Sequence, residues 1–216
     1  PSLDEINVSQ IRNVNFDSLP REEMQRLHMV HYRLAEEMCK KLSADMDIKI
    51  ELHTIMATQL SYEDFLNSQN EKIVQADYLI PEFGRVNVLY DWELADMVVN
   101  RLTGGKGEES ELETFTDLES TILETQMEEL IPLFSDSWRD IFPTNAVDMS
   151  FSYGQYQYDQ KISLREAYVM FSFYVYFGKG ELRRVMWAYP NDVIRSLLAA
   201  ANRLPNPTIQ NIMLKE

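Results

Sequence analysis

Three glycines in four residues, Gly104-Gly105-Lys106-Gly107, form the segment that most invites a chemical reading. Backbone amides of a glycine-rich turn can cradle phosphate when a strand precedes the turn and a Lys-Ser/Thr pair closes it. Here the P-loop spacing of two glycines separated by four residues is absent, the preceding segment reads as helix, and Glu108 and Glu109 follow Lys106, where they would repel a phosphate. Two readings remain. The glycines end a helix and open a plain loop, or they form an exposed binding turn, because three glycines in four residues exceed what stopping a helix requires.

Other reactive side chains offer less. There is no G-x-S-x-G elbow and no dinucleotide fingerprint. His28 and His31 are spaced i, i+3 on a helical segment, and His53 is alone on a strand. A metal would need a third and fourth ligand at helical or hairpin spacing; Glu36 and Glu37 lie too far along to join, so surface or partly buried histidines are expected, with no metal and no cofactor. Glu22/Glu23, Glu36/Glu37, Glu108/Glu109 and Glu128/Glu129 are adjacent acids. On a helix such neighbours point about 100° apart and share no proton, so they read as solvated faces. Cys39 stands at helical spacing among apolar residues and reads as a buried structural thiol.

The elements that must position these residues follow from periodicity. Ser18-Leu19-Pro20 reads as a helix opening, and Leu27, Val30, Leu34, Met38 and Leu42 give one buried face over 20–43. Ile48, Ile50 and Leu52 alternate as a strand, and Tyr62–Leu66 reads as a short helix. Strands at 73–80 and 85–91 flank the turn Pro81-Glu82-Phe83-Gly84, and a helix over Glu93–Leu102 ends at the glycines. The pattern then recurs. Thr116-Asp117-Leu118-Glu119 is a capping-box signature, with Leu123, Met127, Leu130, Phe134 and Trp138 on a buried face that Pro132 should kink or divide. Strands follow at 147–153, 166–177 and 181–188, the last two joined by Gly178-Lys179-Gly180, then a helix from Pro190 to Ala201. The expected fold is α/β (α+β): a pseudo-twofold repeat of helix, strand, strand hairpin and helix, with long helices packed on a largely antiparallel sheet. One domain over 18–202 is expected, between an N-terminal tail at 1–17 and a linker or tail at 203–216. Tyr168, Phe171, Phe173, Tyr174, Tyr176, Phe177 and Trp187 would dress both sheet faces, mostly as core, with a subunit contact as the remainder.

Bulk composition narrows the partners. The 216 residues are 45% hydrophobic and 25% charged, ordinary globular values. Thirty-five acids against twenty bases give a net charge of −15, which disfavours nucleic acid and anionic lipid. No apolar run reaches the length of about 18 residues that spanning a membrane requires, and Pro1-Ser2-Leu3-Asp4 does not resemble a signal peptide. A single cysteine points to a reducing, intracellular compartment.

Several of these segments, in this order, resemble the middle domain of the FliM family of bacterial flagellar motor switch proteins. Leu34-Ala35 and Leu42-Ser43 match its first helix, and Tyr62-Glu63-Asp64-Phe65-Leu66 its Tyr-x-x-Phe segment. Asp96–Gly107 ends in its Gly-Gly-x-Gly turn, Phe115–Glu119 resembles its next helix opening with Trp138 at that helix's end, and Gly178–Pro190 its closing hairpin. The resemblance implies a non-catalytic part of the cytoplasmic ring at the flagellar basal body, on the inner face of the cell membrane, setting rotation direction in chemotaxis. Gly104, Gly105, Lys106 and Gly107 would contact FliG, neighbouring FliM copies would meet side by side, and phosphorylated CheY is a further candidate partner. Related phosphatases of the CheC and FliY type dephosphorylate CheY through Asp/Ser-x-x-x-Glu-x-x-Asn on a helix; the corresponding spacing falls on Ser120, Glu124 and Met127. On the first helix the comparable positions lie near His28 and His31. Methionine cannot orient a water, so this motif reads as degenerate and phosphatase activity as the alternative. The CheY-binding peptide is matched only in part by Ser2-Leu3-Asp4-Glu5-Ile6, and the FliN-pairing domain would lie beyond Glu216; with Pro1 at the start, the chain reads as an excised middle domain or a short homologue.

Overall fold

The computed structural model describes residues 18–69, 72–107, 113–139, 148–156, 162–178, 180 and 182–203. The first helix, α1 (Arg21–Met46), has Pro20 rather than Ser18 at its N-cap, with no side-chain cap bond, and Glu22 and Glu23 in its first turn. Proline's fixed φ of −57° suits the entry, and acids suit the positive end of the helix. All five residues of the apolar stripe are buried, together with His31, Ala35, Cys39 and Met46. Asp47 ends the helix in the left-handed region at φ 48°. Burial pushes the Cys39 thiol up to about 12, with the Glu36 carboxylate adding to it, so it is an inert core thiol.

The strands are β1 (Ile50–Ser61), β2 (Ile73–Ile80), β3 (Gly84–Asp91), β4 (Asp148–Gly154), β5 (Ala167–Phe177) and β6 (Leu182–Pro190). They form one sheet in the order β1-β5-β6-β3-β2-β4, antiparallel at every pairing. Read from either end, the order is the same: the first strand of one half, the hairpin of the other, and β3 against β6 at the centre. The pseudo-twofold is therefore intertwined, since each half lends its first strand to the other's hairpin. Short helices complete the halves: α2 (Tyr62–Asn67), α3 (Trp92–Leu102), α4 (Asp117–Glu128), α5 (Ile131–Trp138) and α6 (Asn191–Arg203). Thr116 and Glu119 form the reciprocal capping box of α4. Pro132 falls in the first turn of α5, where its missing N–H costs nothing, so the long apolar run is two helices and not one kinked helix.

The main core lies between α1, α3, α4, α5, α6 and one sheet face, with Phe171, Phe173, Phe177, Trp187 and Tyr189 inside it. A smaller cluster on the other face gathers Tyr62, Phe65, Tyr168 and Met186 under α2. Alternation thus sends the aromatics of β5 to both faces, as period two requires. Tyr176, 38% exposed, stays near solvent beside His53.

Candidate partner-docking site

Helix α3 closes on the glycine segment through a Schellman arrangement. The Gly104 N–H donates to the Arg101 carbonyl at 3.0 Å and the Gly105 N–H to the Asn100 carbonyl at 2.8 Å. This geometry puts Gly104 at φ +93°, and a second left-handed step follows at Gly107, φ +78°. Gly105 has a different constraint: a Cβ there would lie 2.2 Å from Asn100 Oδ1 and 2.8 Å from the Asn100 carbonyl oxygen. A Cβ on Gly107 would meet Arg101 Cγ and Cδ at 2.9 Å. Each glycine therefore has a local task. The apparent surplus disappears, because the turn itself uses all three. What the turn offers outward is backbone at Thr103 and Gly104 and the exposed Lys106. Glu108 and Glu109 lie outside the described residues.

Two helix residues hold this backbone in place. Asn100 Oδ1 accepts from the Gly107 N–H at 2.7 Å. The Arg101 guanidinium donates to the Gly105 carbonyl at 3.1 Å, to the Met46 carbonyl at 3.0 Å from Nε, and to the Asp47 carbonyl at 3.0 Å; a second nitrogen also reaches Met46 O. The carboxyl ends of α1 and α3 thus share one cation. Sequence reading singled out the glycines and passed over Asn100 and Arg101, although an amide and a guanidinium one turn before a glycine run are a usable signal.

The Ser120-Glu124-Met127 spacing lies along α4, with a different outcome. Glu124 accepts from the Tyr153 hydroxyl at 2.7 Å, and Ser120 is half-buried with its carbonyl 3.4 Å from the same hydroxyl. Burial, then the Glu124 contact, raises the Tyr153 pKa, so this proton stays on the phenol. Met127 is fully buried and its carbonyl accepts from Tyr78 Oη at 2.6 Å. The three residues share a helix, but they present no surface triad.

Of the two α1 histidines, His28 is partly buried as expected and His31 differs from expectation. His31 is neither surface nor partly buried; it is completely enclosed, stacked on Phe171 with ring centroids 3.6 Å apart. Its Nδ1 lies 2.7 Å from the Leu27 carbonyl, which can only accept, so Nδ1 carries the proton and Nε2 accepts from the Tyr189 hydroxyl at 2.7 Å. Burial lowers its pKa to about 3, against the smaller raising effect of the Leu27 carbonyl. His28 is half-buried, and burial lowers its pKa too. Among the described residues no group of three or more His, Cys, Asp or Glu is placed to hold a metal ion, and no helix is long and apolar enough to cross a membrane.

A cavity of about 350 Å³ opens on the opposite sheet face, with Gln75, Asp77, Asn87 and Tyr156 in its wall. These four side chains bond to one another. Gln75 Nε2 and Asn87 Nδ2 donate to Asp77 Oδ1 at 2.9 and 2.6 Å, and the Tyr156 hydroxyl donates to Asn87 Oδ1 at 3.1 Å. The glycine turn remains the described surface with outward, rigidly held backbone.

Comparison with known proteins bears on the family and the fold. The family model described as "Flagellar motor switch protein FliM" matches residues 20–202. The flagellar motor switch protein FliM of Treponema pallidum (strain Nichols) is 24% identical over 127 residues, 58% of this chain. The chain spans 37% of that relative's length. A chain of the FliG-FliM complex from H. pylori superposes with a TM-score of 0.71 at 20% identity, covering 84% of this chain and 100% of that one. FliY of Thermotoga maritima superposes with a TM-score of 0.75 at 12% identity, covering 87% of this chain and 99% of that one.

Proposed function

This chain belongs to the FliM family of flagellar motor switch proteins, and on that footing we propose that it is a non-catalytic part of the switch that docks FliG through Gly104, Gly105, Lys106 and Gly107. The observation that carries the reading is the turn itself. Left-handed backbone at Gly104 and Gly107 is locked by Asn100 and Arg101, while Thr103, Gly104 and Lys106 face solvent. A bare backbone lets a partner approach closely, and a locked one loses little entropy on binding. A relative of the same fold is known in a FliG-FliM complex. Neighbouring copies side by side in a cytoplasmic ring at the basal body, a role in setting rotation direction, contact with phosphorylated CheY, and FliN pairing through a further region are the remaining parts of this proposal.

Calorimetry with purified FliG tests it. Gly105→Asp brings a side chain onto Asn100 Oδ1 and is expected to weaken binding by roughly 100-fold or more, because the turn cannot keep its geometry. The near-ultraviolet spectrum of the buried tryptophans should stay unchanged, since the turn lies outside the core. Wild-type affinity in this variant would overturn the docking assignment. The chain is also expected to leave the decay of phosphorylated CheY at its spontaneous rate; faster decay that scales with added chain would favour the phosphatase reading.

A further inference from the structure

We propose that Asn100 and Arg101 are the positioning residues of the docking turn, and that Arg101 joins the turn to the carboxyl end of α1 so that the two move as one rigid corner. The inference deepens the docking reading and rests on it for the identity of the partner. It begins from a pairing between the helix and the glycines: Asn100 occupies the space a Cβ on Gly105 would need, and the Arg101 stem occupies the space a Cβ on Gly107 would need. Two consecutive residues of α3 thus each require one particular glycine, five positions on for Asn100 and six for Arg101. The hydrogen bonds join the same four residues and cross-link the two pairs: the Gly105 N–H donates to the Asn100 carbonyl, the Gly107 N–H to Asn100 Oδ1, and Arg101 to the Gly105 carbonyl.

Arg101 extends this lock beyond its own helix. The last turn of α1 holds no basic residue, so its terminal carbonyls lack a cation from their own helix. Arg101 supplies one from α3, donating to the carbonyls of Met46 and Asp47. Asp47 is held at φ 48°, and the Ile48 N–H donates back to the Ser43 carbonyl at 3.3 Å. A displacement of the turn therefore pulls on the end of α1 through a planar group with fixed donor directions. Lysine offers a point charge without that fork and cannot reach both chain ends.

Amide hydrogen exchange by NMR on the full chain tests the lock without any partner. In Arg101→Ala the amides of Gly105, Gly107 and Ile48 are expected to exchange about tenfold faster, the scale of losing charge-assisted hydrogen bonds. In Asn100→Ala, Gly107 should lose protection while Ile48 keeps it. Arg101→Lys should resemble the alanine variant, because charge without the fork does not bridge the two helix ends. Unchanged exchange at Ile48 in Arg101→Ala, or wild-type exchange in Arg101→Lys, would overturn the inference. Calorimetry with FliG supplies the second arm: Arg101→Ala is expected to bind about tenfold more weakly with its circular dichroism unchanged, and full affinity alongside a loosened turn would remove the positioning role. If the wild-type chain does not bind FliG, the docking reading falls, and the exchange measurements still decide whether the corner is locked.

Discussion

The turn after α3 and the inner faces of α1 and α4 hold equally suggestive residues, yet the fold treats them in opposite ways. Gly104 and Lys106 stand in solvent on a backbone whose every step is held from within. Of the positions a phosphatase-like helix would use, His31 and Met127 are fully enclosed in the core, while His28, Ser120 and Glu124 are half-buried. A contact made by backbone needs rigidity and a missing side chain, and the turn has both. A reaction carried by side chains needs them at a surface, and here α1 and α4 turn His31 and Met127 inward against the sheet. The α/β frame thus leaves an internally bonded turn at the surface in one place and commits His31 and Met127 to packing in another.

The first expected effect probes the enclosed region through pH. His31 is neutral when folded, with a pKa near 3, whereas an unfolded histidine titrates at about 6.5. Between these values the unfolded state binds more protons than the folded state, so stability rises with pH across the window. The contribution is complete above about 6.5 and is lost as pH falls toward 3. The slope from this one residue is about 1.4 kcal/mol per pH unit. Urea unfolding at pH 7 and pH 5 should therefore differ by roughly 2 kcal/mol from His31 alone, and His31→Phe should remove that component. An equal pH dependence in the phenylalanine variant would mean that His31 is reached by water, which would bring α1 closer to the turn in character.

A second way to break the contrast restores the missing amide. Met127→Asn completes the Ser120-Glu124-Asn spacing of the phosphatase motif, but it does so inside the core. The substitution should cost about 3 kcal/mol in stability, from lost apolar burial and a polar group placed among apolar side chains. Decay of phosphorylated CheY should stay at the spontaneous rate. Acceleration would show that this part of α4 opens to a partner.

Much of this arrangement was legible from residue order, and the failures have physical causes. The capping box at Thr116 and the two hairpins stand out because local chemistry alone decides them. Strand β1 was legible only to Leu52, although it runs to Ser61. A bulge between Leu52 and Thr54 shifts the inward set from Ile50 and Leu52 to Ile55, Ala57 and Gln59, so the alternation changes phase and the period-two signal cancels. The exchange of first strands between the halves left no local trace, since pairing partners 69 residues apart (Leu79 and Asp148) to 127 residues apart (Ile50 and Phe177) are fixed by the whole core. His31 was misjudged although it falls on the apolar stripe between Leu27 and Leu34: a histidine paired with His28 reads as a surface residue, and Phe171, Tyr189 and Trp138, brought in from the sheet and α5, enclose it. For the turn, glycine content pointed to the place, but its cause lay in Asn100 and Arg101.

The smallest expected effect sharpens what the turn contributes. Lys106 is the exposed charge of the segment, and an electrostatic view of docking would give it the leading part. Asn100 and Arg101 instead hold the backbone of Gly105 and Gly107 on either side of it. Lys106→Ala leaves that scaffold intact and allows the same φ at its neighbours. An exposed charge pair contributes below about 1 kcal/mol, so FliG affinity should fall by no more than about fivefold at physiological ionic strength. The deficit should grow as salt is lowered, because exposed charges are screened over about 10 Å at 0.1 M. A loss as large as that of Gly105→Asp would assign recognition to a side chain after all, and the distinction between a backbone-presenting turn and side-chain-bearing helices would no longer explain which region docks.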